Sequence, residues 1–361
     1  MRSWAALLLL ACPALLEAQA SRGVLEVQRV LAPLIQSYGV SGMETPVRAT
    51  VQKLLPGWAR TVTDTAGNLW LTAGKGEPIV VFVAHLDEVG FRVTGVREDG
   101  SLELAPVGGI FPSLWEAQPA LVQTGRAVIP GVFMPRDSTA PAELRRTPPA
   151  MRADVGARSR AATEALGIGV GNTVTMPKEF MRLAGNRATG RSFDDRVGDA
   201  AQILAVRHLD PARLRHTVIF IWSVREEIGL EGARVAAGAL GLRPIRVHAI
   251  DTFVSADSPL EPKNFGLAPL GHGAVARALD NSSVTPPALV DSLVALARAR
   301  RIPFQVGTTN GGNDGSMFVP YGVPDVPIGW PLRYSHSPAE TIDLRDVVSL
   351  ADLIQAVAER W

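Results

Sequence analysis

A chain of 361 residues with 47% hydrophobic content is long enough for one large domain or two modest ones around a sizeable core, which excludes disorder as its default state. Lys and Arg total 36 against 35 Asp and Glu, a net charge of +1, so no overall field draws the chain onto nucleic acid or an anionic membrane. A small neutral or zwitterionic partner fits that balance better.

Arg2 precedes an apolar stretch over residues 4–11, and Ala18-Gln19-Ala20 has the small-x-small form of a signal-peptidase site. Residues 1–20 are therefore expected to be a signal peptide, with a mature chain beginning near Ser21 that is periplasmic or extracellular. The stretch is short of the roughly 20 residues a spanning helix needs, so no integral membrane span is expected. Leu9-Leu10-Ala11-Cys12 also resembles a lipoprotein cleavage box, and lipidation of Cys12 is the lesser alternative because so little precedes it. Cys12 is the only cysteine, so cleavage after Ala20 would exclude disulfides, thiolate catalysis and Cys-type zinc sites.

Apolar positions at helical spacing over 25–37 and 46–55 predict two helices around the turn Tyr38-Gly39-Val40-Ser41-Gly42. Strands are expected near 60–64, 68–72 and 79–84. The last is an unbroken apolar run, the pattern of a strand covered on both faces in a parallel sheet. From 91 to 178 short alternating segments separated by Gly, Pro and Asp predict a small β-barrel-like insert, with a flexible loop over 136–151. Helices over 196–208, 230–240 and 286–300 then alternate with strands at 218–222, 246–250 and 304–306. The expected fold is α/β: a central, mostly parallel sheet flanked by helices, built from 21–90 and 179–361 and interrupted by the β domain of 91–178.

Chain order places a metal-capable side chain just past each central strand: His85 and Asp87, then Glu226 and Glu227, then Asp251. In open parallel sheets such residues converge outside the carboxyl ends of the strands. Asp194 and His336 are further candidates from loops. Taken singly, each has a plainer reading: a hydrogen-bonded histidine closing a strand, an aspartate capping a helix, or solvated charge at a helix start. His208, His216, His248 and His272 are read as structural. Together, two imidazoles and three carboxylates suit two divalent ions, zinc first and cobalt as the alternative, and Glu226 remains as a proton carrier.

The stretches Tyr38-Gly39-Val40-Ser41-Gly42-Met43-Glu44, Ala84-His85-Leu86-Asp87-Glu88-Val89-Gly90-Phe91, Phe193-Asp194-Asp195-Arg196-Val197-Gly198, Val224-Arg225-Glu226-Glu227-Ile228-Gly229, Ala249-Ile250-Asp251 and Arg333-Tyr334-Ser335-His336-Ser337-Pro338 resemble, in order and spacing, the M42 metallo-aminopeptidases. The resemblance covers nearly the whole mature chain and implies the co-catalytic zinc peptidase fold. It implies that Asp194 bridges two metal ions, that His85 and Asp251 complete one site, and that Glu227 and His336 complete the other. It further implies a cis peptide between Asp194 and Asp195, Asp87 orienting His85, and Glu226 as general base on a metal-bridging water. Peptides with free N-termini would be the substrates. A homo-oligomer, from a dimer up to a dodecamer, would be built through the inserted domain, which would also shape substrate access. Three features depart from the family: the export signal, Asn313 in Gly311-Gly312-Asn313-Asp314-Gly315, and the loop over 136–149. The rival readings are a metal-independent endoglucanase-like glycoside hydrolase, for which the two histidines would have no role, a non-catalytic binding protein, and a related carboxypeptidase or dipeptidase.

Overall fold

The computed structural model describes residues 13–136, 151–257 and 266–360. The apolar leader stretch with Cys12, and most of the expected loop at 136–151, lie outside the described residues.

The apolar run at 79–84 forms β3 (Ile79–His85), buried along its whole length. It lies between two parallel neighbours, β12 (Thr217–Ser223) and β13 (Pro244–Val254). Beyond β12, β2 (Leu69–Gly74) and β1 (Thr61–Thr63) pair antiparallel. Beyond β13 come β16 (Ile328–Leu332), parallel, then β14 (Ala274–Leu279), antiparallel, and β15 (Phe304–Thr308), parallel to β14. The result is a mixed sheet of 8 strands in the order β1-β2-β12-β3-β13-β16-β14-β15, parallel through its centre as expected.

Alternate side chains of β3 feed two core layers, as the strand period of two requires. Val80, Phe82 and Ala84 face α1 (Pro13–Gln36), α2 (Thr45–Leu54), α4 (Phe193–His208) and α7 (Leu344–Arg360), which contribute residues such as Leu31, Val51, Ala201 and Ile354. Val81 and Val83 face Ala236, Ala237 and Leu240 of α5 (Glu231–Leu240). The remaining long helix, α6 (Pro287–Arg300), packs Leu293 and Ala297 into the first layer.

Between β3 and α4 the chain makes a closed barrel of β4 (Gly90–Val96), β5 (Leu102–Val107), β6 (Pro119–Gln123), β7 (Val128–Phe133), β8 (Arg152–Asp154) and β9 (Thr173–Thr175), in the order β4-β5-β8-β7-β6-β9. A short helix, α3 (Arg160–Ala165), precedes β9. Phe91, Trp115 and Phe133 fill the barrel, with ring centroids 5.2, 5.3 and 5.4 Å apart. Glu88 joins barrel to sheet: its carboxylate accepts from Lys178 Nζ at 2.8 Å, Arg191 at 2.9 Å, Gly39 N at 2.8 Å and the Ser192 hydroxyl. Burial opposes that charge, yet Lys178, Arg191 and Arg196 hold the Glu88 carboxyl well below the usual carboxylate range.

Two differences from the sequence-based expectation matter for the site. β13 runs on to Val254, so Asp251 lies inside a strand rather than beyond its end. The segment after 306 contributes β16, α7 and β17 (Glu340–Asp343), and β17 joins β10 (Met181–Arg182) and β11 (Arg187–Gly190) in a small antiparallel sheet, none of which the pattern reading placed. The register of that small sheet sets Gly190 opposite Glu340, directly before the turn that carries Asp194.

Candidate metal centre

His85 is the last residue of β3, and its backbone N–H donates to Asp195 Oδ2 at 2.8 Å. Asp195 Oδ1 accepts from Gly198 N at 2.9 Å, so this aspartate is the helix cap, and the peptide joining it to Asp194 is cis. Asp194 is itself non-helical, with φ −75° and ψ 106°. Glu226 and Glu227 occupy the turn after β12, held from beneath by Asp87. The Asp87 oxygens accept from Glu226 N at 2.9 Å, Glu227 N at 3.2 Å and Ser41 Oγ at 2.6 Å. His336 sits between β16 and β17 with φ +59°, and Ser192, Arg225, Leu230 and Tyr334 nearby in sequence to these side chains also have positive φ. Left-handed backbone at side-chain-bearing residues is uncommon, and its concentration here marks a site the fold holds under local strain.

These side chains converge. His85, Asp194 and Glu227 offer donor atoms that lie within 4.8 Å of one another. His85 Nε2 is 3.2 Å from Asp194 Oδ1 and 3.9 Å from Glu226 Oε2; His336 Nε2 is 3.3 Å from Glu227 Oε1 and 3.5 Å from Asp194 Oδ2. All five, with Asp251, line one cavity of about 450 Å³. Asp87 does not line it, but faces His85 Nδ1 at 3.5 Å. His336 Nδ1 donates to the Gly109 carbonyl at 2.6 Å, which turns Nε2 towards the carboxylates.

The electrostatics show what this donor set lacks. Burial lifts Glu226 well above the carboxylate range, opposed by His85 and reinforced by Glu227 and Asp251. It lifts Asp251 to about 6 against the pull of Arg277, and Asp314 to about 7 against His85. Burial alone would neutralise His85 and His336, yet the carboxylates around them push both well above the ordinary histidine value. Asp194, which burial would raise, is held well below its ordinary value by both imidazoles. More acid is buried here than the neighbouring cations balance, and each imidazole turns its Nε2 to carboxylate oxygens. A divalent cation among these nitrogen and oxygen donors relieves both, so the residues fit such an ion.

Sequence reasoning missed several partners. Glu340 Oε2 accepts from Phe193 N at 2.6 Å and Asp194 N at 3.3 Å, while Oε1 accepts from His336 N at 2.8 Å, joining the two backbones that carry Asp194 and His336. Burial and the Asp194 charge push this carboxyl up to about 8, opposed by His336. Arg277, buried in β14, donates to Asp251 Oδ2 at 2.9 Å and Asp280 Oδ2 at 3.0 Å, while Thr252 N donates to Asp251 Oδ1 at 2.6 Å. Asp314, behind the site, bonds to the Ser223 hydroxyl. The position of Glu340 four residues beyond His336 was a faint signal; an arginine inside a strand gives none.

None of the four histidines read as structural lines the cavity. His248 is buried, stacks on Phe82 and bonds to the Val326 carbonyl at 2.8 Å, while His208 pairs with Glu26 at 3.3 Å.

An open α/β sheet with imidazoles and carboxylates gathered at the carboxyl ends of its central strands, and a barrel against the same cavity, is the arrangement of an enzyme with a metal-type donor set at its ligand crevice. Comparison with known proteins makes the assignment specific: the chain belongs to the M42 glutamyl aminopeptidase family, whose model matches residues 67–353. It is 31% identical over 348 residues to a lysyl aminopeptidase of Pyrococcus furiosus, covering 91% of this chain and 96% of that protein. It superposes with a TM-score of 0.83 and 31% identity on the TET1 peptidase of Pyrococcus horikoshii, a protein described as assembling into a tetrahedron or a large octahedral shell, across 94% of this chain and all (100%) of that one. A Thermotoga maritima structure described as an endoglucanase superposes with a TM-score of 0.73 at 27% identity, across 91% of this chain and 96% of that one. The chain is thus an enzyme of the aminopeptidase class, hydrolases that cleave N-terminal residues, and its family is metal-dependent.

Proposed function

We propose that the protein is a dinuclear-metal-dependent aminopeptidase acting on peptides with free N-termini. His85 and Asp251 would hold one divalent ion, Glu227 and His336 the other, and Asp194 both; zinc suits the donors, with cobalt the alternative. When bound, such ions polarise the scissile carbonyl and lower the pKa of water towards neutrality. Glu226, which lines the cavity with its Oε2 3.9 Å from His85 Nε2, takes the proton of the attacking water and returns it to the leaving amine. Asp87 keeps His85 in the tautomer that presents Nε2 and fixes the backbone of Glu226 and Glu227. The observation that carries the reading is the convergence of His85, Asp194, Glu227 and His336 beside Glu226 in one cavity.

The likeness to the tetrahedral TET1 peptidase supports a homo-oligomer, from a dimer up to a dodecamer, with the barrel supplying contacts and shaping access. Export is a separate proposal resting on the first twenty residues. α1 runs through Ala20 and its packed face includes Val24, Val27 and Leu31, so cleavage after Ala20 would leave those contacts intact.

The test is hydrolysis of an aminoacyl-anilide and N-blocked substrate panel by wild type and Glu226→Gln, with metal content measured for both. The variant should keep its metal and lose roughly 10²–10⁴-fold in kcat; an active variant removes Glu226 from the mechanism. The endoglucanase description of the Thermotoga neighbour favours a second reading, in which a glucan is hydrolysed by paired carboxylates without metal. Chelation separates the two, since only the peptidase loses activity and regains it on adding zinc or cobalt. Cleavage of N-blocked peptides would favour the carboxypeptidase alternative.

A further inference from the structure

The barrel places a side chain in the cavity that neither the ligand set nor the general base explains. Phe111 lies between β5 and the short 3-10 helix Pro112–Leu114 and lines the same cavity as His85, Glu226 and Glu227. It is 59% exposed, whereas Asp251 and Thr252 are 6% and Arg277 2% exposed. That gradient puts Asp251, Thr252 and Arg277 at the floor and Phe111 at the mouth.

The exposure of Phe111 does not come from a loose loop. Just before it, the Gly109 carbonyl accepts from His336 Nδ1 at 2.6 Å, and a Cβ on Gly109 would stand 3.2 Å from that nitrogen. Gly108, at φ +83°, has no room for a side chain either, since a Cβ there would meet Val89 Cγ1 at 2.7 Å and Glu227 Cβ at 3.3 Å. Just after it, Trp115 is fully buried among Phe91 and Phe133, with the Arg191 guanidinium 5.1 Å over its ring. Phe111 is therefore held between two fixed points, with a large apolar ring turned to the cavity. Its apolar surface is removed from water only when something apolar is laid against it.

The geometry points to Phe111 as a specificity-determining residue for the second residue of the peptide, the one that leaves with the product, favouring an apolar or aromatic side chain there. This rests on the aminopeptidase reading. Nothing precedes the first residue of an aminopeptidase substrate, so that residue occupies the closed floor and the rest of the peptide passes out through the mouth. The first side chain beyond the scissile bond then lies against Phe111. Leu230, which lines the same cavity from the segment following Glu226 and Glu227, adds apolar surface to it.

The test uses the full metal-loaded chain with leucinamide, which has no second residue, and the dipeptides Leu-Gly, Leu-Ser, Leu-Leu and Leu-Phe. For wild type, kcat/KM for Leu-Phe and Leu-Leu should exceed that for Leu-Gly by roughly tenfold, the scale of discrimination by an apolar contact. In Phe111→Ala the ratio of Leu-Phe to leucinamide should fall by about the same factor, and in Phe111→Leu it should lie between. A ratio that stays within twofold in Phe111→Ala, or a wild type indifferent to the second residue, overturns the assignment while leaving the aminopeptidase reading intact. If the metal-loaded wild type hydrolyses none of these substrates, the same series is run behind the first residue it prefers in the aminoacyl-anilide panel, and a wild type that hydrolyses no member of that panel overturns both.

Discussion

Replacing Glu340 tests whether the site is held together by one buried carboxylate. Glu340→Ala strands the N–H groups of Phe193 and His336, bonded at 2.6 and 2.8 Å, and that of Asp194, whose 3.3 Å contact adds little. A buried donor left unsatisfied costs about 1–3 kcal/mol, so the two short bonds together bound the loss at about 2–6 kcal/mol. His336 borders the open cavity, where water can take over its N–H, which puts the expected loss in the lower part of that range, about 2–4 kcal/mol. Glu340→Gln keeps one acceptor oxygen and should fall between the variant and wild type. Because these N–H groups belong to the backbones carrying Asp194 and His336, metal affinity should fall with stability, by about 10- to 100-fold. Urea unfolding of the metal-loaded proteins and competitive chelator titration measure the two quantities. A Glu340→Ala protein within about 0.5 kcal/mol of wild type, with unchanged metal affinity, would show that the backbone turn stands without it.

Asp87→Asn leaves one acceptor oxygen for Glu226 N, Glu227 N, Ser41 and His85, and should weaken metal binding by about 10- to 100-fold, measured by chelator competition; unchanged affinity would refute its orienting role. His248, held by burial at about 3, contributes stability that is present above its unfolded pKa of about 6.5 and is lost as pH falls from there towards 3, at about 1.4 kcal/mol per pH unit. Denaturation at pH 7, 6 and 5 should therefore show a shallower acid-side loss in His248→Gln than in wild type, and parallel curves would refute the assignment.

What was legible in the sequence was what local pattern encodes. The apolar run of β3 announced a buried central strand, and a strand of that kind delivers whatever follows it to the carboxyl edge of the sheet, which is why His85 and the Glu226-Glu227 pair were candidates beforehand, while Asp194 and His336 were candidates from loops. Asp251 was placed at the edge for the same reason but lies within β13, because β16 pairs with residues 250–254 and prolongs the strand. α7 carried a readable signal, with Leu344, Val347, Leu350, Ile354 and Val357 at helical spacing on one buried face. Glu340 and Arg277 were not readable, since their roles arise from the pairing of β11 with β17 and of β14 with β16, contacts between segments far apart in the chain. Phe111 in isolation is one more loop aromatic, and only the contact between Gly109 and His336 places it at the cavity.

The Glu88 junction has a consequence for how the barrel can change over evolutionary time. One carboxylate gathers Gly39 from the first loop, Lys178 from the segment after β9, and Arg191 and Ser192 from the segment that leads into Asp194. Both ends of the inserted module are thus stapled to a single point a few residues from His85, so length and sequence can be rewritten in its outer loops without tugging on the catalytic strands. Such a module is free to diversify while the chemistry beside it stays fixed. The exception is the loop at Gly108 and Gly109, where the barrel touches His336 and Glu227 and a change of backbone would be felt directly by two side chains of the candidate metal centre.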